Sequence, residues 1–566
     1  MDQTIRARFD LWRRAATADP DLIAELNSLA ERGDERAVTD AFYRDLAFGT
    51  AGLRGVIGAG TNRMNFYTVA RTSQGLADYI LRHYPDRLRI AVSYDSRIKS
   101  ELFARVSCAV FAANGIEAWL YDRLMPTPCL SYAVRALGCA AGVMITASHN
   151  PAQYNGYKVY GEDGCQMTEA AADEVLAAIE ATDLFEGVRR GSFDELLAAG
   201  RIRYIPESVY DGFIAEVKAQ SMLSPSDPAD RSGAIVYSPL CGTGLRPVLR
   251  ALTESGFAHI RVVSEQEAPD GRVPTCPYPN PEIREAMALG LEYAERERAD
   301  LLLATDPDCD RVGIAVRDGE GKMTLLTGNE TGMLLLDYIC SRRAATGRMP
   351  ADAVLVKTVV TVDMADRIAA HYGVRTVNVL TGFKYIGEQI ALLEAKGRAD
   401  SYIFGFEESY GYLSGTYVRD KDAVNASLLI CEMFAYYRAQ GVGLWQKLEE
   451  LYAAYGYTQN SCISYAFEGA EGFAAMRNIM DGLRAPIASF GGRPVEKKED
   501  FGAGLYGLPK SDVIKFYLSG HCSLVARPSG TEPKLKIYIS VNAPDRAAAA
   551  AETEKIRRDI ESRLRP

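Results

Sequence analysis

The sequence predicts an α/β protein: three α/β blocks in succession, followed by a smaller C-terminal α+β domain. Short apolar runs that end in Gly, Asp or Ser, each followed by a helical pattern, are the first reason: RIAVSYDSR (89–97), GVMITASHN (142–150), AIVYSPLCGTG (234–244), ADLLLATDPDCDR (299–311) and AVLVKTVVT (353–361). Buried strands of parallel units are almost wholly apolar, and polar loops at their carboxyl ends are where ligand chemistry is expected. The second reason is size and composition. A chain of 566 residues, 48% hydrophobic and 24% charged, with 49 Gly and 24 Pro, has ordinary globular usage and room for about four domains. The third is a change of rhythm after residue 459, where strands are expected near Cys462–Phe467, Val513–Leu518 and Lys534–Ser540 and a charged helix over Arg546–Leu564.

Taken in order, Ile5–Leu46 places Phe9, Leu11 and Trp12, then Leu22, Ile23 and Leu26, then Ala41, Phe42 and Leu46 at helical spacing, and reads as scaffold. The blocks follow near 50–205, 208–325 and 326–455, which divides the chain into domains 1–207, 208–325, 326–458 and 459–566. Lys and Arg total 64 against 74 Asp and Glu, a net charge of -10, without the dominant basic field of a nucleic-acid binder. Eleven cysteines, with no CxxC pair, read as free thiols of a reducing compartment. No segment approaches the ~20 apolar residues of a bilayer span, and the opening residues lack the apolar core of a secretory signal. The expectation is a cytoplasmic protein with neither nucleic-acid nor membrane partner; its oligomeric state is left open. Gly502, Gly504 and Gly507 satisfy GxGxxG, but they follow EKKED instead of a buried strand and carry no dinucleotide reading.

Four polar clusters sit on expected strand ends and loops. ITASHNPAQYNGYK (145–158) delivers Ser148, His149 and Asn150 to a sharp turn, with Lys158 in reach; a serine needs such neighbours to act as a nucleophile, although a plain helix-capping turn has the same letters. DPDCDR (306–311) follows LLLAT and puts Asp306, Asp308 and Asp310 at i, i+2 and i+4, where they repel one another unless something positive sits between them. Hard oxygen donors point to Mg²⁺; an EF-hand is excluded, because Arg311 and Arg317 stand where its Gly and Glu belong. FGFEESYGY (404–412) offers carboxylate acceptors suited to sugar hydroxyls, with general acid/base work or an exposed helix start as alternatives. RPSGTEPKLKIY (527–538) combines a guanidinium fork, hydroxyls and backbone N–H groups, an oxyanion cradle or else a hairpin turn.

In this order, TASHNP, DPDCDR, GFEES and RPSGTEPK resemble the four active-site loops of the α-D-phosphohexomutase superfamily, over about Phe48 to Ile539. FGTAGLRG (48–55) and GFEESYGY look like the branch that includes bacterial phosphoglucomutase/phosphomannomutase, animal phosphopentomutase and glucose-1,6-bisphosphate synthase. The resemblance implies three related α/β domains with mixed sheets and a smaller fourth domain around a central cleft. It implies an isomerase that moves phosphate between C1 and C6 of a hexose, most naturally glucose, through a phosphoserine and a sugar 1,6-bisphosphate that also serves as activator. Ser148 would carry the phosphoryl group and, with Asp306, Asp308 and Asp310, hold Mg²⁺. Arg54 and Lys158 would be acid/base or charge-orienting groups, with His149 beside the nucleophile. Arg311, Thr381, Gly382, Lys384, Glu407, Ser409 and Lys421 would bind the phosphosugar, and Arg527, Ser529, Gly530 and Thr531 would grip its non-reacting phosphate. Tyr410 and Tyr412 depart from the smaller residues of many hexomutases, which leaves mannose and pentose phosphates, bisphosphate synthesis and a catalytically silent binding protein as alternatives.

Overall fold

Strands that lead into the polar clusters are buried along their whole length: Ala141–Ile145, Leu301–Thr305, Val354–Thr358 and Tyr402–Glu407 expose no side chain. They lie inside three sheets of a computed structural model that describes residues 1–49, 52–467, 469–529 and 534–564. The first sheet runs in the order Phe48–Gly49, Gly52–Val56, Tyr154–Gly161, Ala141–Ile145, Arg89–Tyr94, Glu117–Leu120, Ile202–Tyr204. Its inner strands are parallel, as the apolar runs predict, but Tyr154–Gly161 returns antiparallel to Ala141–Ile145. That return strand opposes Lys158 to Met144, so the lysine comes back toward the turn that carries Ser148.

The second sheet repeats the device. Leu301–Thr305 is parallel to Ile235–Ser238, and the chain turns at Asp306–Arg311 into the antiparallel Val312–Arg317. In the third, Val354–Thr358 is parallel to both Arg375–Val379 and Tyr402–Glu407, and Gly411–Leu413 folds back antiparallel. All three sheets are therefore mixed. The fourth is wholly antiparallel, in the order Tyr457–Ala466, Lys534–Ala543, Cys522–Pro528, Ile514–Leu518, Arg493–Asp500, Ser489–Phe490, covered by the helix Arg546–Leu564.

Two helices, Gly328–Ala345 and Ala423–Arg438, are apolar on nearly every side and are buried accordingly. Thr327 and Glu330 close a reciprocal cap on the first, and the Asp422 carboxylate accepts the Val424 and Asn425 amides at the start of the second. One continuous apolar core joins helix Thr127–Ala136 of the first block to the second and third sheets and reaches Val525 of the fourth domain. Among the described residues no helix is long and apolar enough to cross a membrane.

The opening stretch forms helices Gln3–Ala15, Pro20–Arg32 and Glu35–Phe42, as its spacing predicts. They pack around Trp12, whose ring lies 5.7 Å from Phe42, 5.7 Å from Tyr67 and 5.6 Å from Phe185. Glu25 of this layer accepts the Ala59 amide at 2.9 Å, steadying the segment that follows the strand bearing Arg54. Trp12→Ala is expected to cost this layer about 3–5 kcal/mol, read as lost hydrogen-exchange protection over residues 3–42 while the third and fourth sheets keep theirs.

Candidate active site

Ser148 sits at the turn after Ala141–Ile145 with φ of 52°, a left-handed backbone that a serine adopts only when its surroundings impose it. Arg97 imposes it. Its guanidinium donates to the Ser148 carbonyl at 2.6 and 3.1 Å, to the carbonyls of Pro151 and Tyr154 at 3.0 and 2.9 Å, and to the Asn150 carbonyl. The Ser148 amide donates to Thr146 Oγ1 at 2.8 Å. So held, Ser148 Oγ lies 2.7 Å from Asp306 Oδ2 and 3.1 Å from His149 Nδ1. Burial, then the nearby Arg311 and Arg54, push the His149 imidazole well below its ordinary pKa, so it is neutral at neutral pH.

The acidic loop is tied into a ring. Asp306 Oδ1 accepts the amides of Asp310 and Arg311 at 3.1 and 3.0 Å, and the Cys309 amide reaches the Asp306 carbonyl at 2.9 Å. Neighbouring elements clamp it from three sides: Thr127 donates its amide to the Asp308 carbonyl and its hydroxyl to Asp308 Oδ2, both at 2.9 Å, Thr243 holds the Pro307 carbonyl, and the Ala423 amide meets the Cys309 carbonyl. A Cβ on Gly242 would stand 2.4 Å from Pro307 Cα, so only glycine admits this approach.

Asp306, Asp308 and Asp310 are all buried, each with an oxygen within 4.8 Å of the others'. Lys158 bonds Asp308 at 2.9 Å and lies 3.6 Å from Asp310, which Lys421 meets at 3.0 Å. Burial raises the Asp306 pKa and the two adjacent carboxylates raise it further; burial works the same way on Asp308, but Lys158 and Lys421 hold that group well below the usual range. Burial opposes the charge on Lys158, yet Asp308 and Asp310 raise its pKa, which suits charge orientation better than proton exchange. Oδ1 of Asp308 and Oδ1 of Asp310 are buried without a hydrogen-bond partner among the described residues. Orphaned carboxylate oxygens in a triad of hard donors fit a small divalent cation such as Mg²⁺.

Three comparisons bear on this geometry. Family models described as phosphoglucomutase/phosphomannomutase alpha/beta/alpha domains I, II and III match residues 45–186, 211–319 and 327–455. The chain belongs to the phosphoglucomutase/phosphomannomutase family. A phosphoglucomutase of Staphylococcus saprophyticus is 35% identical over 526 residues, covering 90% of this chain and 93% of that one; another, of Staphylococcus aureus strain MRSA252, is 36% identical over 518 residues, covering 89% and 91%. The fold is shared with a phosphoglucomutase/phosphomannomutase family protein of Burkholderia thailandensis (TM-score 0.68, 17% identity, 92% of this chain and 97% of that one). It is shared too with the open form of parafusin from Paramecium (TM-score 0.68, 15% identity, 92% and 96%).

The remaining candidate residues of this family member fall into three groups. Arg311 extends from the acidic loop to Glu282 at 2.6 Å, Glu407 accepts the Gly382 amide at 2.9 Å, and Arg54 reaches Asn150 at 3.2 Å. Burial raises the Glu407 pKa, with Lys421 and Arg311 opposing. Thr381 Oγ1 is buried without a partner among the described residues, and Ser409 and Ser529 are half-buried. Arg527, also half-buried, is close enough to Glu408 to lower its pKa against burial and the Glu407 charge, which hold it at about 7. Lys384, by contrast, turns to Glu169 at 3.3 Å and lies over the Tyr385 ring. Gly530 and Thr531 lie outside the described residues. Sequence reasoning missed Arg97, Thr127 and Thr243; only the first had a signal, the YDSR that ends a buried strand.

Because a cation needs the triad ionised, protonation of Asp306, whose pKa is raised, competes with it. Mg²⁺ affinity is therefore expected to fall as pH is lowered from 8 to 6, with net proton release on binding. Calorimetric titration in buffers of different ionisation enthalpy checks both.

Proposed function

We propose that the protein interconverts hexose 1-phosphate and hexose 6-phosphate, with glucose as the sugar, by way of a phosphoserine at Ser148 and a hexose 1,6-bisphosphate. The observation that carries this reading is Ser148 Oγ, 2.7 Å from one carboxylate of a buried acidic triad whose lysines come from the first and third blocks. Curated relatives named phosphoglucomutase, at 35% and 36% identity over nine-tenths of the chain, support the substrate class.

Asp306, Asp308, Asp310 and an oxygen on Ser148 would hold Mg²⁺, which when bound supplies charge neutralisation at the transferring phosphoryl group. The chain's own groups do the rest. Phosphoryl transfer breaks the P–O bond to Ser148 and forms one to a sugar hydroxyl; the hydroxyl loses a proton and the serine oxygen gains one. In the return step Ser148 Oγ takes the other phosphate and gives up its proton. With the carboxylates engaged, the neutral His149 Nδ1 at 3.1 Å is the acceptor that remains beside it. Lys158 and Lys421 stay charged and offset the meeting of two anions. Glu407 and Ser409 would accept from and donate to sugar hydroxyls, while Arg527 and Ser529, with Gly530 and Thr531, would fix the far phosphate in either orientation of the bisphosphate. Lys384 would join them only by leaving Glu169.

Ser148→Ala is expected to abolish turnover of glucose 1-phosphate, at least about 10⁴-fold in kcat, and intact-protein mass spectrometry of the wild type to locate one phosphoryl group on Ser148. A panel of glucose, mannose and ribose 1-phosphates, with and without a trace of glucose 1,6-bisphosphate, is expected to show glucose preferred and the bisphosphate stimulatory. Undiminished turnover in the alanine variant refutes the assignment.

A further inference from the structure

Behind the sugar loop, the third and fourth domains meet through a polar network that the reaction itself does not use. At its centre is Asp363, just beyond the strand Val354–Thr358. Its Oδ1 accepts from Lys515 Nζ at 2.6 Å and from Lys357 Nζ at 3.4 Å, and its Oδ2 accepts from Ser523 Oγ at 2.6 Å. Lys515 also donates to the Val359 carbonyl at 3.0 Å, and its side chain is 1% exposed. Lys357, fully buried, ties the cluster to the Thr361 carbonyl at 3.3 Å and to Asp366 at 3.5 Å. Lys515 and Ser523 belong to the fourth domain; the other members belong to the third.

Burying two lysines in an interface is costly, and an apolar contact of the same size serves adhesion as well. What an ion cluster adds is a fixed register, since each donor is satisfied in one position alone. The register matters because of what shares the strand. Along Cys522–Pro528 side chains alternate, so Ser523, Val525 and Arg527 lie on one face. The packing agrees: Val525 joins the core of the third domain, whereas Leu524 and Ala526 join the fourth domain's own core. Arg527, the candidate phosphate grip, is thus four residues, or roughly 13 Å, from an anchored serine on the same face. On the other side, Lys357 is register partner to Phe406, the residue before Glu407. Between these points the domains do not close fully: a cavity of about 180 Å³, lined in part by Val360, Glu408, Ser523, Val525 and Tyr538, leaves the strand free to swing about its anchored end.

We infer that Asp363 is a positioning residue: by pinning Lys515 and Ser523 it sets the distance between Arg527 and the sugar loop at Glu407, and so the length of bisphosphate that the site accepts. The inference rests on the phosphosugar reading above. A swing of about 10° at the pin would move Arg527 by roughly 2 Å, and an error of that size in a positioned group costs about 10²-fold or more.

The test uses the full-length protein with Mg²⁺, reading kcat and KM for glucose 1-phosphate and, by calorimetry, the Kd of glucose 1,6-bisphosphate. Asp363→Asn is expected to raise KM and Kd about 10-fold while kcat changes less than about 3-fold. Ser523→Ala, which removes one donor without stranding a buried lysine, is expected to raise both about 3-fold and covers the case in which Asp363→Asn does not fold. Because Asp363 acts through Arg527, Asp363→Asn added to Arg527→Ala is expected to change KM by less than about 2-fold. A folded Asp363→Asn with wild-type KM and Kd, or one whose full effect persists in the Arg527→Ala background, overturns the inference while the wild type still turns over. A wild type that neither turns over glucose 1-phosphate nor binds the bisphosphate overturns the functional reading, and this inference with it.

Discussion

Three carboxylates on one five-residue turn, all removed from water, make a repulsion that the rest of the molecule is built to offset. At the spacing of the Asp306, Asp308 and Asp310 oxygens, like charges in a low-dielectric interior repel by several kcal/mol per pair. The chain answers with backbone amides on Asp306 Oδ1, with Lys158 on Asp308 and with Lys421 on Asp310. Two lysines against three acids leave a deficit, and the orphaned oxygens of Asp308 and Asp310 show where it is concentrated. A divalent cation is the economical answer, and a phosphoserine on Ser148 brings the further negative charge that would balance it.

The same constraint accounts for the architecture. Lys158 reaches the triad because Tyr154–Gly161 returns antiparallel beside Ala141–Ile145, and Lys421 because the third block places its chain against the Cys309 carbonyl. Thr127, Thr243 and Ala423 clamp the acidic turn from the first, second and third blocks. No single block contains the site. The apolar core that runs through all three makes their mutual placement rigid, while the fourth domain, with its own core, is joined through fewer and more polar contacts.

Much of this was legible in the letters. Strands such as LLLAT and AGVMI are buried on both faces, so their runs are unbroken and plain to see. Tyr154–Gly161 was not, because YNGYKVYG mixes glycine, asparagine and lysine where the strand lines the site. Arg493–Asp500 reads RPVEKKED, a charged strand that buries only Glu499 outright, and nothing in its pattern separates it from a loop. In the site, Ser148 and the three aspartates were readable because their chemistry is packed into short motifs. Arg97, 51 residues before Ser148, and Thr127, 181 before Asp308, act through folded contacts that no local spacing encodes. Asp363 stands in TVDMAD, ordinary helix-start letters, and only its buried partners give it meaning.

The central claim is that the oxygen on Ser148 and the three aspartates share one cation. Mn²⁺ in place of Mg²⁺ permits the most direct measurement, pulsed ³¹P ENDOR on the phosphorylated protein without substrate. The account predicts a ³¹P hyperfine coupling of the strength given by a phosphate bound directly to the metal, absent in Ser148→Ala. Tightly held Mn²⁺ with no such coupling in a protein shown to carry phosphoserine 148 would contradict it.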